Sequence, residues 1–289
     1  MTELACFDGD YSKHNIGSKY KLPQHEFAHD LDIFGERSIF QYLNRTATEE
    51  GEQLLANWLN QNDIHDVEAR QIALEELKEK PENRLHYHAQ AKTVKKEISS
   101  AAIFNYFSDY KAFIPTIWKY LVPIFNLGSL AAIVLAVMGI IPNAYLLFWF
   151  LFGCSITAVY FKRVTNVQQK LDKARYIFLN YSKLIQHLEG QTFNAPILKK
   201  HHAVFTEKNK AYSTKLNRLY EYLNALDQRQ NMVFALIGAG LLLWDIKQML
   251  KIEKWIEEQT ESVGVLFDEL AFFDAYYALA HYNFIHADF

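Results

Sequence analysis

LVPIFNLGSLAAIVLAVMGIIPNAYLLFWFLFGCSITAVYF, residues 121–161, is a run of 41 residues without one Asp, Glu, Lys, Arg or His. As continuous helix it would extend about 61 Å at about 1.5 Å per residue, close to twice the roughly 30 Å hydrocarbon core of a bilayer. Two crossings fit that length. Pro142-Asn143 lies near the middle, and proline lacks an N–H and restricts its predecessor, so a turn is expected there. The reading is a helical hairpin of about Tyr120–Ile141 and Ala144–Phe161, the alternative being a hairpin buried in a large soluble core.

The flanks favour lipid. Trp118 and Lys119 precede the run, Lys162 and Arg163 follow it, and the tip around Pro142 and Asn143 is uncharged. By the positive-inside rule both ends face the cytoplasm, which implies an inner (cytoplasmic) membrane with the polar parts on the cytoplasmic side. Trp118, Tyr120, Tyr145, Trp149 and Tyr160 fall near the four expected helix ends, where aromatic belts form.

Outside the hairpin the chain is polar enough for a folded body, since all of the charged residues (22% of the chain) lie there. A net charge of −3 shows no excess of cations for phosphate neutralisation, which weighs against tight autonomous binding of nucleic acid. The two cysteines, Cys6 and Cys154, are placed too differently to pair, and a reducing compartment fits. The first residues have no basic start followed by an apolar stretch, so insertion is expected to come from the internal hairpin.

Strand signals are nearly absent and the fold class expected is all-α. Residues 1–30 form an irregular entry segment, 31–116 a helical part, 117–163 the transmembrane hairpin and 164–289 long helices returning to the helical body. Leu31–Gly35 reads as a short extended piece. Thr46-Ala47-Thr48-Glu49 has capping-box spacing, and Gly51, Leu54, Leu55, Trp58 and Leu59 then share one helical face, on which Gly51 permits close approach of a neighbour. A second helix, Val67 to Lys80, turns Val67, Ala73, Leu74 and Leu77 inward and ends at Pro81. Val164 to Leu188 and Lys210 to Met232 are amphipathic, the second with Leu216, Leu219, Leu223 and Leu226 on one stripe. Met232 to Trp244 is apolar but too short to span, and with Gly238-Ala239-Gly240 it reads as a core helix.

One motif suggests catalysis. His25-Glu26-Phe27-Ala28-His29 matches the zincin pattern, in which two histidines on one helical face bind zinc and the glutamate is the general base. It follows Leu22-Pro23-Gln24 in an irregular stretch with no clear third ligand. His86 and His88, and His201-His202 beside Lys199-Lys200, read as solvated. No G-x-x-x-x-G-K-[ST] loop and no G-x-S-x-G elbow occurs, so no catalytic and no cofactor-binding residue is assigned.

Asp30 through Gly51 resembles the core domain of the MutS family of DNA mismatch repair ATPases. The family pattern of a small-Ser-Leu segment, Leu-x-x-Thr-x-Thr-x-x-Gly, Leu-Leu and Trp-Leu is met by Ser38-Ile39, Leu43, Thr46, Thr48, Gly51, Leu54-Leu55 and Trp58-Leu59. Arg70-Gln71 and Ala73 to Leu77 follow where the family has Arg-x-x-Ala-Val, and Leu270, Asp274-Ala275 and Leu279-Ala280 look like the helix leading to its ATPase domain. The first helix lacks the family's arginines and has Glu52, Gln53, Ala56 and Asn57 instead.

The resemblance implies the core and lever part of a membrane-associated MutS-like protein of the Bacteroidetes type. It implies mismatched DNA as a partner, weakened here, a homodimer through the full-length protein, and ATP and Mg in a domain expected beyond Phe289. Lipid is the partner implied by the hairpin. The chain itself is expected to be no enzyme; the alternatives are a membrane-anchored zinc metalloprotease and a membrane-anchored interaction protein without DNA binding. The protease reading requires stoichiometric zinc in the purified protein, lost on His25→Ala or His29→Ala; metal analysis without zinc removes it.

Overall fold

In a computed structural model, which describes residues 12, 14–22, 27–28, 30–61, 63–91, 100–206 and 211–286, the chain is helical, with no strand among the described residues. His25, Glu26 and His29 lie outside the described residues. The chain divides into two units: Met1–Ser100, Asn180–Ser213 and Gly264–Phe289 form the first, and Ala101–Leu179 with Thr214–Val263 the second.

In the first unit, a short helix α1 (Ile39–Leu43) is capped by Ser38, whose hydroxyl accepts from the Gln41 N–H at 3.2 Å. Leu31–Gly35, expected as an extended piece, is instead a turn held by Ile33 N–H to Ala28 O at 3.1 Å and Gly35 N–H to Ile16 O at 2.8 Å. Helix α2 (Glu49–Asn60) starts two residues later than the expected capping box would place it. Thr48 is the cap, accepting from the Gly51 N–H at 3.0 Å, while the Thr46 hydroxyl donates to Asn44 at 2.7 Å. Glu49, Glu50 and Glu52 occupy the first turn, where carboxylates meet the positive end of the helix dipole.

Helix α3 (Val67–Lys78) buries Ala73 and Leu77 completely, but Val67 at its first position is 45% exposed rather than inward. Pro81 does not merely end that helix. It opens α4 (Pro81–Ala91), a first-turn position where a missing N–H costs nothing. Helix α5 (Ser100–Ser108) follows.

The second unit holds the uncharged run. Helix α6 (Trp118–Val137) carries Pro123 near its start, and Gly139 at φ 70° begins the turn. Helix α7 starts at Asn143 and, contrary to the expected end at Phe161, continues without a break through Lys162 and Arg163 to Glu189, 47 residues in all. The separate helix expected from Val164 is therefore the second half of α7, and residues 180–189 belong to the first unit. Beyond α8 (Pro196–Thr206), α9 (Tyr212–Asp227) buries Leu216, Leu219, Leu223 and Leu226 as its stripe requires.

The expected core helix at Met232–Trp244 is different. It is α10 (Met232–Ile237) followed by a π-helical turn, Gly238–Leu242, which ends at Leu243 with φ 48° and bends by 81° into α11 (Trp244–Ile285). Met232 is 79% and Val233 66% exposed, so this apolar run is not core. Periodicity shows that a face is apolar, not what covers it. Helix α11 is continuous over 42 residues, and its last part, from Gly264, returns to the first unit.

That return closes the first unit, where Asp274 of α11 lies against Gly51 of α2 so closely that a Cβ on Gly51 would collide with the Asp274 carboxylate. Gly51→Ala is expected to destabilise the full-length chain by about 1–3 kcal/mol in denaturant unfolding, because the pinned Asp274 cannot yield, although Ala is the better helix former. Unchanged or raised stability would contradict the close packing.

Candidate functional sites: an apolar hairpin and a buried carboxylate

Helices α6 and α7 are each long and apolar enough to cross a membrane, and 17% and 11% of their most apolar stretches are buried. Ile124, Leu127, Leu130, Val137, Phe148 and Val159 stand out from them. An apolar face of this extent is far beyond the scattered exposed side chains of a soluble surface. Between the two helices packing is specific: Trp149 stacks on Phe125 with centroids 4.9 Å apart, fits beside Gly128, and donates its indole N–H to Ser129 at 2.9 Å. Trp149 therefore packs between the two helices of the hairpin.

Trp118 does lie at an end, donating to the Tyr160 hydroxyl at 3.0 Å and so placing Lys119 and Lys162-Arg163 at the same end of the hairpin. Lys119, Lys162 and Arg163 are exposed, as are Pro142 and Asn143 at the opposite, uncharged end. Arg163 sits over the Phe113 ring at 5.8 Å. Of the proposed anchor residues the cations are thus brought together and Pro142-Asn143 is held apart from them.

Two residues at this end carried no sequence signal. Arg229 donates to the Thr165 hydroxyl at 3.0 Å and lies over the Phe161 ring at 4.6 Å, and its ion pair with Asp245 is 3.0 Å long. Neither lies in the run or beside it in sequence.

The first unit presents a buried carboxylate. Asp274, fully buried, accepts from the Ala47 N–H at 3.0 Å, the Thr48 N–H at 2.8 Å and the Thr48 hydroxyl at 2.6 Å. Burial pushes its carboxyl up from the ordinary value near 3.8 to about 6, against the pull of the Thr48 and Ala47 donors, and nearby Glu50 adds to the rise. Glu50 itself accepts from the Tyr181 hydroxyl at 2.6 Å. These contacts join segments distant in sequence.

Of the histidines expected in solvent, His86 is exposed, whereas His201 and His202 are engaged. His201 stacks on Phe272 with centroids 3.6 Å apart and meets Glu269 at 2.7 Å, His202 is buried and bonds Leu188 O at 2.7 Å, and His86 stacks on His187. Residues on neighbouring helices supply these partners, which sequence spacing does not show. A cleft of about 460 Å³ opens beside His201, lined by Leu54, Trp58, Arg70, Glu269 and Tyr276 among others. Two of its charged side chains are paired, Arg70 to Asp63 at 2.6 Å and Glu269 to His201, and Asp268 also lines it. No group of three or more His, Cys, Asp or Glu arranged to hold a metal occurs among the described residues.

No protein-family description, curated protein or solved structure matches the chain.

The Asp274 crossing has a defined pH signature. Because its pKa in the fold, about 6, lies above the ordinary 3.8, folding takes up a proton between these values. Its contribution is most favourable below about pH 4 and declines as pH rises through about 6, by up to roughly 3 kcal/mol. Asp274→Asn is expected to destabilise the chain, and by more at pH 5 than at pH 7.5, in unfolding followed by tryptophan fluorescence in detergent. A penalty independent of pH would show that Asp274 titrates at its ordinary value.

Proposed function

We propose that this chain is the non-catalytic core-and-lever module of a membrane-anchored MutS-like protein. The first unit corresponds to the family's core, α6 and α7 form a transmembrane hairpin in the inner membrane, and Lys119, Lys162 and Arg163 lie on its cytoplasmic side. In this reading α7 and α11 act as the lever helices. They couple a domain elsewhere in the protein that binds ATP and Mg to movement at the bilayer or at a partner. No residue of this chain is assigned to ATP or Mg, since it contains no glycine-rich phosphate loop.

The observation that carries the reading is the Asp274 crossing. The two stretches that resemble the MutS core, Thr46–Gly51 and Leu270–Ala280, are more than two hundred residues apart, yet Asp274 accepts from Thr48 and packs on Gly51. The residues of the resemblance thus serve one another physically, as parts of a shared core would. The exposed faces of α6 and α7 support lipid at the site where a DNA clamp would otherwise extend. A missing run of arginines on α2 agrees with that change of partner.

Two measurements test it. The full-length protein is expected to stay with membranes through an alkaline carbonate wash, and release into the soluble fraction removes the anchor. Across a salt series it is expected to bind matched and mismatched duplexes weakly or not at all, because phosphate-driven affinity needs cations and a net charge of −3 shows no excess of them. Submicromolar, mismatch-selective affinity would show that DNA, not lipid, is the partner of this module.

A further inference from the structure

The run Met232–Leu242 contains no charged side chain and yet turns much of its surface outward: Met232, Val233, Leu236 and Ile237 are 79%, 66%, 55% and 45% exposed. Its ends are polar and lie together. Arg229, before it, pairs with Asp245, after it, at 3.0 Å, and the Trp244 indole N–H donates to Ala225 O at 2.8 Å. Arg229, which meets Thr165 and Phe161 of α7 at the Lys162-Arg163 end of the hairpin, thus ties the two ends of the run together by its side chain.

From that end the run reaches inward along α7. Ala239 O accepts from the Thr157 hydroxyl at 3.1 Å, and Gly240 packs against Gly153 and Phe150 so tightly that neither glycine could carry a Cβ. Gly153 is ten residues from Arg163 on a continuous helix, about 15 Å, or half of the roughly 30 Å hydrocarbon thickness. The polypeptide then bends by 81° at Leu243, whose N–H donates to Gly238 O, and continues as α11.

We propose that Met232–Leu242 is a re-entrant arm, inserted among the lipid acyl chains of the leaflet on the Lys162-Arg163 side and turning near the bilayer midplane. The inference rests on the reading of α6 and α7 as spans. A full crossing is excluded by length, since eleven helical residues cover only about 16 Å, and by Asp245, Lys247 and Lys251 directly after the bend. Backbone groups at both ends of the run find partners, as a lipid environment requires: the Asn231 side chain caps the Val233 and Phe234 N–H groups at 3.0 and 3.1 Å, and the Thr157 hydroxyl donates to Ala239 O. Glycine-to-glycine approach is also how helices pack where no hydrophobic effect drives them together. Acyl chains are favoured over a second copy because the exposed face continues that of the spans and stops at the same cationic end.

Depth-dependent quenching tests the arm. In the full chain carrying Cys6→Ser and Cys154→Ala, single cysteines replace Met232, Leu236 or Leu241, with Leu130→Cys reporting the spans and Lys254→Cys reporting water. Each is labelled with a small environment-sensitive fluorophore in liposomes of phosphatidylcholine and phosphatidylglycerol. Leu236→Cys is expected to be quenched by acyl-chain nitroxides severalfold more than by aqueous iodide, as Leu130→Cys is, with the reverse at Lys254→Cys. Met232→Cys should favour a nitroxide near the headgroup and Leu241→Cys one near the chain end. Lipid quenching at Leu130→Cys with iodide quenching at Leu236→Cys would overturn the arm and leave the hairpin standing. Absence of lipid quenching at both overturns the spans and the arm with them. Protection of labelled Leu236→Cys from lipid and iodide alike, with disulfide-linked dimers when the unlabelled variant is oxidised with copper phenanthroline, overturns it in favour of a second copy.

Discussion

The first unit depends on one buried carboxylate. Asp274 brings a negative charge into a fully buried position and is held there by the Ala47 and Thr48 N–H groups and the Thr48 hydroxyl. Desolvating a carboxylate is costly, and its three donors offset that cost only in one arrangement of the segments that carry them. The consequence is specificity. Thr48 must both cap α2 and bond Asp274, and Gly51 must leave room for it, so the position of α2 against the returning end of α11 is tightly defined.

In the second unit the constraint is the opposite one, too little polarity. The uncharged run turns many of its apolar side chains outward, and the contacts within it and at its border, Trp149 to Ser129 and Trp118 to Tyr160, occupy polar groups of the hairpin itself. Charged partners come in where the run ends. There Arg229 and Asp245 join the two ends of the Met232–Leu242 run to the hairpin's cationic end. In the proposed function the cations at this boundary mark the cytoplasmic side of the hairpin.

Both units use the same two long helices. Helix α7 leaves the hairpin and continues until its last residues bury Leu184, Ile185 and Leu188 in the first unit, and α11 leaves the bend at Leu243 and ends by supplying Phe273, Asp274 and Tyr277. A chain organised in this way returns to its first unit twice. In the proposed function that continuity is the material of the lever.

By itself the sequence determined that the chain is helical, where its uncharged hairpin lies and which end is cationic. These are local properties: an unbroken apolar run of a given length, a proline at its middle, charges at its borders, and apolar stripes at helical spacing such as Leu216 to Leu226. Its cap was misplaced by two residues, because Thr46 and Thr48 both satisfy the local rule and only the position of Asp274 selects Thr48. Tertiary structure alone decided the rest: that Arg229 meets Asp245, that His201 and His202 have partners, that α7 runs through Arg163, and that Met232–Leu242 is surface rather than core. Each of these turns on which distant segment lies alongside, and periodicity records only that a face seeks cover, leaving its partner to the packing of the whole chain.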